Sequence, residues 1–192
     1  IECFNSHLSI SNVEFTMVIW FTGMSGSGKS TLARALAIEL KKEDYKVHLL
    51  DGDVVRKKNN LTNKFNQKTI LKNNYSIIQE CKKNINDFDF ILVCVISPYE
   101  KTRMYARDSL GRGQYIEVFV DCPIEELIRR DTKGFYAKGI NKKLDVIGFS
   151  EKLPYEKPTY ADLVIKTNIL DLHHSLISIK TKLNQLNYNI KL

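Results

Sequence analysis

The chain has 192 residues and a net charge of +7 at pH 7, and 43% of its residues are hydrophobic and 27% charged. This length suits one domain with a full core. No apolar run approaches the roughly 20 residues that cross a bilayer, and residues 1–16 lack the basic start and apolar stretch of a secretory signal. The bulk composition therefore predicts a soluble, cytoplasmic protein.

The positive charge does not by itself indicate a nucleic-acid-binding protein. The basic residues are spread along the chain, and no block of five or six Lys or Arg occurs. A polyanionic small substrate, or the compositional habit of the source genome, explains the charge equally well. The four cysteines form no C-x-x-C pair, which is typical of reduced thiols rather than of a disulfide frame or a zinc site. We expect binding neither to nucleic acid nor to a membrane.

Short apolar runs alternate with helical stretches along the chain. The predicted strands cover 17–21, 47–50, 90–96, 116–120 and 163–167, and the predicted helices cover 31–42, 66–86, 98–110, 123–130 and 170–187. This alternation predicts an α/β fold, a mostly parallel five-stranded sheet with helices on both faces and ligands at the carboxyl ends of its strands. We expect one domain over 17–192, with residues 1–16 as an extension outside it.

The strongest motif lies between the first predicted strand and the first predicted helix. Residues 23–30 read G-M-S-G-S-G-K-S and fit the phosphate-binding pattern G-x-x-x-x-G-K-[ST]. Glycines let backbone N–H groups surround phosphate oxygens, and the helix that follows presents its positive end to them. Lys29 is expected to reach the β- and γ-phosphates, and the Ser30 hydroxyl to bind Mg²⁺. The predicted ATP contacts are Gly23, Ser25, Gly26, Ser27, Gly28, Lys29, Ser30 and Thr31.

Further polar residues follow the other predicted strands. Asp51, Asp53 and Arg56 come after the second strand, Ser97 and Arg103 after the third, and Arg130 and Lys133 after the fourth. Residues 133–158 show little periodicity and form a stretch long enough to be a lid. Structural roles are open for several of these residues, since Asp51 and Asp53 could cap a helix, Ser97 could be an N-cap before Pro98, and Arg103 could be a solvated charge.

With these segments assembled, the chain resembles the adenylylsulfate kinase family of P-loop kinases, which use ATP to phosphorylate the 3′-hydroxyl of adenosine 5′-phosphosulfate. The resemblance runs from about residue 18 to 165. Its blocks are 23–31, 50–56, 96–99, 117–136 and 154–158. The sequence D-C-P followed by R-D-T-K-G-F-Y is close to the family's D-x-P and R-D-x-K-G-L-Y, and P-Y-E-K-P matches its P-Y-E-x-P. The resemblance implies ATP and Mg²⁺ as cofactors.

The resemblance also implies roles for individual residues. Asp51 would lie nearest the acceptor hydroxyl, as a base or close to Mg²⁺, beside Lys29 and Ser30. Arg130 would lie against the adenine of ATP, Lys133 would help to close the lid, and Ser97 matches a serine described in the family as phosphorylated, although direct transfer is favoured here. Phe65 and Phe149 would sandwich the base of the acceptor, although a packing role is also open for both. The residues implied to contact the acceptor are Asp53, Arg56, Phe65, Asn73, Ile96, Ser97, Arg103 and Phe149.

The chain departs from the family pattern on the acceptor side. The family's D-R and N-I-x-R fall on Thr69-Ile70 and Asn73-Asn74-Tyr75-Ser76, and the arginine usual after I-S-P-Y is Glu100. Losing these arginines would weaken the binding of a phosphosulfate. We therefore expect a small nucleotide acceptor that is either adenylylsulfate or cytidine diphosphoramidate, the acceptor of a similar branch of capsule phosphoramidate kinases, with a slight preference for the second.

Other functions receive less support from the sequence. A nucleotide-driven switch would need a guanine-reading N-K-x-D, which does not occur. A non-catalytic or nucleic-acid-binding protein is suggested by charge alone. A homodimer is one assembly that we leave open.

Overall fold

The structure is a computed structural model that describes residues 15–60, 66–111, 113–131, 133–141 and 143–192. Its strands are β1 (Met17–Thr22), β2 (Val47–Asp51), β3 (Phe90–Cys94), β4 (Tyr115–Asp121) and β5 (Leu163–Lys166). Its helices are α1 (Lys29–Lys42), α2 (Gly52–Lys58), α3 (Gln67–Asn84), α4 (Glu100–Leu110), α5 (Ile124–Arg130), α6 (Phe135–Ile140) and α7 (Leu172–Gln185).

The five strands form one sheet in the order β2-β3-β1-β4-β5, and every neighbouring pair is parallel. This arrangement confirms the predicted α/β fold. The central strand β1 is buried along its whole length. Because successive side chains of a strand point to opposite faces, Met17, Ile19 and Phe21 enter one core and Val18 and Trp20 enter the other.

Each face of the sheet is covered by a pair of long helices. Helices α1 and α7 supply apolar side chains to the first core, and α3 and α4 supply them to the second. Because all five strands run parallel, the carboxyl ends of the neighbouring strands β2, β3 and β1 lie together at one edge of the sheet. Among the helices of the described ranges, none has the length and apolar character needed to cross a bilayer.

Two helices were absent from the sequence prediction. Helix α2 has only seven residues and follows directly from β2. Asp51 caps its start, because the Asp51 side chain accepts a hydrogen bond from the backbone N–H of Asp53. Helix α6 lies inside the stretch predicted as an irregular lid and is held by the Asp131 carboxylate, which accepts from the backbone of Tyr136 and Ala137. Both helices are too short to show a helical period.

The ends of the described chain also bear on the predicted boundaries. Residues 1–14 of the predicted extension lie outside the described residues. The Thr16 hydroxyl donates to the carbonyl of Phe88, so the structure ties this residue to the loop before β3.

A buried ion pair joins α4 to β4. Arg103 and Glu117 are 1% and 5% exposed, and the Arg103 Nε lies 2.9 Å from Glu117 Oε1. The Arg103 guanidinium also donates to the carbonyls of Ser97 and Glu156, at 2.8 Å each. Burial raises the pKa of Glu117, although Arg103 opposes the shift.

We predict that Arg103→Met lowers the free energy of unfolding by about 3 to 5 kcal/mol. It removes the nearer partner of the buried Glu117 charge, which keeps Arg107 at 3.9 Å, and it removes a donor from the Ser97 and Glu156 carbonyls. Urea denaturation would measure the loss. The double variant Arg103→Met with Glu117→Leu should lose less, since no charge is left unpaired. A single variant within about 1 kcal/mol of the wild type would contradict the prediction.

Candidate functional site

The loop between β1 and α1 has the backbone of a phosphate cradle. Gly23, Gly26 and Gly28 have φ of 148°, 79° and 102°, a region that favours glycine. A Cβ on Gly23 would lie 2.4 Å from the Val120 carbonyl oxygen, so a side chain does not fit there. No side chain caps the start of α1, which leaves its first N–H groups available to an anion.

Lys29 is buried at the first turn of α1, and it is 8% exposed. Its ammonium donates to the Met24 carbonyl at 2.7 Å and lies 3.5 Å from the Ser27 hydroxyl. Burial lowers the pKa of Lys29 to about 8. A phosphate placed here would favour the charged ammonium, so nucleotide binding and Lys29 protonation are coupled.

The phosphate loop is also held from outside by later parts of the chain. The Tyr136 hydroxyl on α6 donates to the Ser25 carbonyl, and the Thr167 hydroxyl after β5 donates to the Ser27 carbonyl, at 2.8 Å each. Arg130 in turn donates to the Thr167 carbonyl at 2.8 Å. Arg130 is therefore linked to the phosphate loop through Thr167. Its contact with the adenine of ATP stays a prediction.

Asp51 has a different partner on each carboxylate oxygen. Oδ1 accepts from the backbone N–H of Asp53 at 2.9 Å and caps α2, while Oδ2 accepts from the Ser30 hydroxyl at 3.2 Å. The capping role that the sequence left open is thus present, and it coexists with contact to the phosphate loop. Ser30 and Asp51 together offer a hydroxyl and a carboxylate oxygen, the hard ligands that Mg²⁺ prefers.

A cavity of about 580 Å³ opens between the phosphate loop, α2, α3 and the loop after β3. The predicted site residues that line it are Ser25, Gly26, Gly28, Lys29, Ser30, Thr31, Asp51, Asp53, Arg56, Asn73, Ile96, Ser97 and Lys133. Residues far apart in the sequence are therefore brought to one cavity at the carboxyl ends of the strands.

Helix α3 forms one wall of this cavity. Ile70, Asn73 and Asn74 line it and are buried, at 1%, 2% and 1% exposure. The Asn73 side-chain amide donates to the Gly52 carbonyl at 3.2 Å and so ties α3 to the start of α2. This wall carries no charge from α3.

Lys133 reaches across the mouth of the cavity and pairs with Asp53. Both side chains are about half exposed or more, so the pair contributes little to stability. This ion pair links the segment after α5 to the start of α2 and so helps to position the two segments. Lys133 therefore spans the two sides of the cleft.

Several predicted site residues do not line the cavity. Gly23 and Ser27 belong to the inner turn of the phosphate loop. Phe149 is not in the cavity lining and packs edge-on against Tyr136, with ring centroids 6.0 Å apart. Phe65, its predicted partner in the base sandwich, lies outside the described residues.

Arg103 is likewise not brought to the cavity. Its guanidinium is engaged by Glu117, Ser97 and Glu156, so in this arrangement it is free neither for the acceptor nor for solvent. The solvated role that the sequence left open is wrong, because the side chain is buried. What Arg103 does is position the loop that carries Ser97.

Ser97 is fully buried and has φ of 44°, in the left-handed region. Its hydroxyl lies 3.5 Å from the Thr102 hydroxyl. The N-cap of α4 is Tyr99, so the alternative that Ser97 caps this helix is wrong, and α4 begins two residues later than predicted. An uncommon backbone form at a cavity wall is typical of a functional loop.

Some residues at the site were missed by the sequence prediction. Arg34 lines the cavity and lies 3.6 Å from Asp51 Oδ2, and its position four residues after Ser30 on α1 could have signalled this. The Tyr155 hydroxyl lies 3.0 Å from the Thr22 hydroxyl at the end of β1, a contact between segments that no local pattern reveals.

The sheet order, the phosphate loop and the cavity together define a P-loop kinase. The adenylylsulphate kinase family matches residues 15–166, and the chain belongs to this family. It is 37% identical to an adenylyl-sulfate kinase from Chloroflexus aurantiacus over 176 residues, covering 91% of this chain and 92% of the relative. It is 38% identical to one from Halothermothrix orenii, covering 79% and 80%.

A solved structure agrees with this assignment. The APS kinase from Mycobacterium tuberculosis in complex with AMPPNP and APS superposes with a TM-score of 0.80 at 28% identity, over 88% of this chain and 98% of that one. The protein is therefore a phosphotransferase with the fold and phosphate cradle of this family. It uses ATP with Mg²⁺.

We predict that nucleotide binding takes up close to one proton at pH 9 and little at pH 6.5. The reason is that the pKa of Lys29 is about 8 in the free chain and rises when phosphate lies beside it, so affinity should fall as pH rises above 8. Calorimetric titration of ADP and Mg²⁺ in two buffers with different ionisation enthalpies would count the protons. Lys29→Met should abolish the uptake, and unchanged uptake in that variant would refute the assignment.

Proposed function

We propose that the protein transfers the γ-phosphoryl group of ATP to the ribose 3′-hydroxyl of a small nucleotide, and that it prefers cytidine diphosphoramidate to adenylylsulfate. The observation that carries the acceptor preference is Ile70, an aliphatic side chain on the cavity wall where the family pattern places an arginine. The donor half of the cavity keeps the family pattern, whereas this wall does not.

Ile70 stands out among the positions where the chain departs from that pattern. Thr69 caps α3 with Asn66, Ser76 bonds to the Lys72 carbonyl, and the Glu100 backbone N–H donates to Glu156. None of these three lines the cavity of the described residues, whereas Ile70 does. The missing guanidinium at position 70 is therefore the change that an acceptor would meet.

The absence of a guanidinium at position 70 has a limited effect on acceptor affinity. A hydrogen bond to a charged group contributes about 1.5 to 3 kcal/mol, which corresponds to roughly 10- to 150-fold in affinity. A phosphosulfate would lose this contact in full. A phosphoramidate terminus carries an uncharged amino group in place of one oxygen, so it depends less on a guanidinium.

The cavity lining supports a role for each remaining group. Lys29 would neutralise charge on the transferred phosphoryl group, and Mg²⁺, which would be held by Ser30 and Asp51, supplies further neutralisation when bound. The Asp51 carboxylate is the group that would orient or deprotonate the acceptor hydroxyl. Arg56 lines the acceptor half and would take an anionic group of the nucleotide. Lys133 would close the cleft over both substrates.

Adenylylsulfate remains a second candidate acceptor, and the comparisons favour it. The relatives from C. aurantiacus and H. orenii are both named adenylyl-sulfate kinases. An adenine could occupy the same cavity, and the wall at Ile70 would then reduce affinity without abolishing the reaction.

Steady-state kinetics with the two acceptors would test the proposal, with phosphorus NMR locating the new phosphate. The wild type should show the higher kcat/KM with cytidine diphosphoramidate. Ile70→Arg should raise kcat/KM for adenylylsulfate by about tenfold or more, because it returns a charge-assisted contact to the wall. A wild-type kcat/KM for adenylylsulfate at or above that for the cytidine compound would refute the preference.

Leu71→Arg is the matched control. Leu71 is the next residue of α3 and does not line this cavity among the described residues. An arginine at this neighbouring position adds the same charge without reaching the acceptor, so it should leave both kcat/KM values nearly unchanged. Melting temperatures of both variants would show that each still folds.

We also predict that Asp51→Asn lowers kcat by about 100-fold or more and barely weakens ATP binding. The amide keeps an oxygen that can cap α2, but it cannot take a proton from the acceptor. Rapid-quench measurement of the chemical step would give the rate, and the thermal shift produced by ADP and Mg²⁺ would report donor binding. Normal turnover with weakened acceptor affinity would instead make Asp51 a binding residue.

A further inference from the structure

The buried face of α3 contains two polar side chains where apolar ones are expected. Its buried positions follow helical spacing, and they are Ile70, Asn73, Asn74, Ile77, Ile78 and Cys81. Asn73 and Asn74 are therefore amides within an otherwise apolar stripe. Both line the cavity that holds the phosphate loop.

The hydrogen bonds of these amides identify which atom is unpaired. The Asn73 amide nitrogen donates to the Gly52 carbonyl at 3.2 Å, and the Asn74 amide nitrogen donates to the Ile70 carbonyl at 2.9 Å. Because a carbonyl accepts only from a donor, the NH₂ group must face it in both cases. Both Oδ1 atoms are buried and have no partner among the described residues.

An unpaired buried oxygen calls for a hydrogen-bond donor, and the cavity is where a donor can arrive. Asn74 falls on the isoleucine of the family's N-I-x-R, while Ile70 falls on the arginine of its D-R. Compared with the family pattern, the wall therefore lacks a cationic hydrogen-bond donor at Ile70 and has a neutral hydrogen-bond acceptor one helical turn away, at Asn74. Both changes suit a ligand that donates hydrogen bonds to this wall.

We propose that Asn74 is a specificity-determining residue whose Oδ1, together with that of Asn73, accepts a hydrogen bond from an N–H group of the acceptor nucleotide. This inference rests on the proposed nucleotide kinase function. A sulfate or phosphate oxygen facing these two atoms would offer them no donor. The N–H group belongs to an amine, either the exocyclic amine of the base or the terminal amine of the acceptor.

Three pyrimidine acceptors separate these sources. Cytidine diphosphoramidate carries both a base amine and a terminal amine, uridine diphosphoramidate lacks the base amine, and cytidine diphosphate lacks the terminal one. Their kcat/KM values would be measured for the wild type and for Asn74→Leu. We compare the kcat/KM for cytidine diphosphoramidate with that for each of the other two acceptors. In Asn74→Leu, one of these two ratios should be about tenfold lower than in the wild type. The ratio that falls identifies the amine.

The matched control is Asn84→Leu. Asn84 lies on the same helix and its amide donates to the Glu80 carbonyl in the same i to i−4 manner, but it does not line the cavity among the described residues. It should leave both ratios unchanged. Asn74→Leu should also raise the melting temperature of the free protein, because it removes an unpaired oxygen from a buried face. Asn74→Ala provides the same comparison if leucine does not fit.

Different results would refute the role of Asn74 and the proposed acceptor preference. If the wild type prefers the cytidine amidate and Asn74→Leu keeps both ratios, the role of Asn74 is refuted while the function stands. If the wild type prefers adenylylsulfate, the acceptor preference fails, and Asn74 is then tested on adenylylsulfate against its hypoxanthine analogue, which lacks the base amine. An unchanged ratio there would refute the role of Asn74 as well.

Discussion

The arrangement of the acceptor half depends on one buried guanidinium. Arg103 pairs with Glu117 on β4 and donates to carbonyls in two loops, at Ser97 and at Glu156. The two loops also bond to each other, since the Glu156 backbone N–H donates to the Pro98 carbonyl at 2.8 Å, and Arg103 joins both of them to β4. A single rigid, planar cation with several donors suits this position, since it can bind three acceptors in fixed directions. The loop that carries Ser97 is therefore positioned by a residue that does not itself line the cavity.

The fold was largely predictable because its signals are local. Short, continuous apolar runs predicted the strands, and the phosphate loop motif predicted the turn between β1 and α1. Helices α2 and α6 were missed because each depends on a capping carboxylate more than on its own periodicity. Arg103 and Phe149, which were expected at the acceptor, are not among the residues that line the cavity, for a different reason. Their surroundings are set by contacts between distant segments, and the type of residue does not reveal these.

Asp51 shows why the structural and the functional interpretation of a residue need not compete. One of its oxygens begins α2, and the other faces Ser30 of the phosphate loop. A carboxylate fixed at one oxygen has little rotational freedom left, so the second oxygen is preorganised toward the phosphate loop without further cost. Capping is thus part of how the chain would aim a reactive group. On the acceptor wall the same logic holds for Asn73, whose amide is fixed by Gly52 while its oxygen stays available.

The phosphate loop receives one of its hydrogen bonds from a residue far along the chain. The Thr167 hydroxyl, just past β5, donates to the Ser27 carbonyl, across 140 positions of sequence. During synthesis a ribosome would therefore release the whole cradle motif long before Thr167 could reach it. A nascent chain that stops short of β5 carries the motif without this hydrogen bond, so full order in the nucleotide site has to wait until the ribosome has also synthesised Thr167.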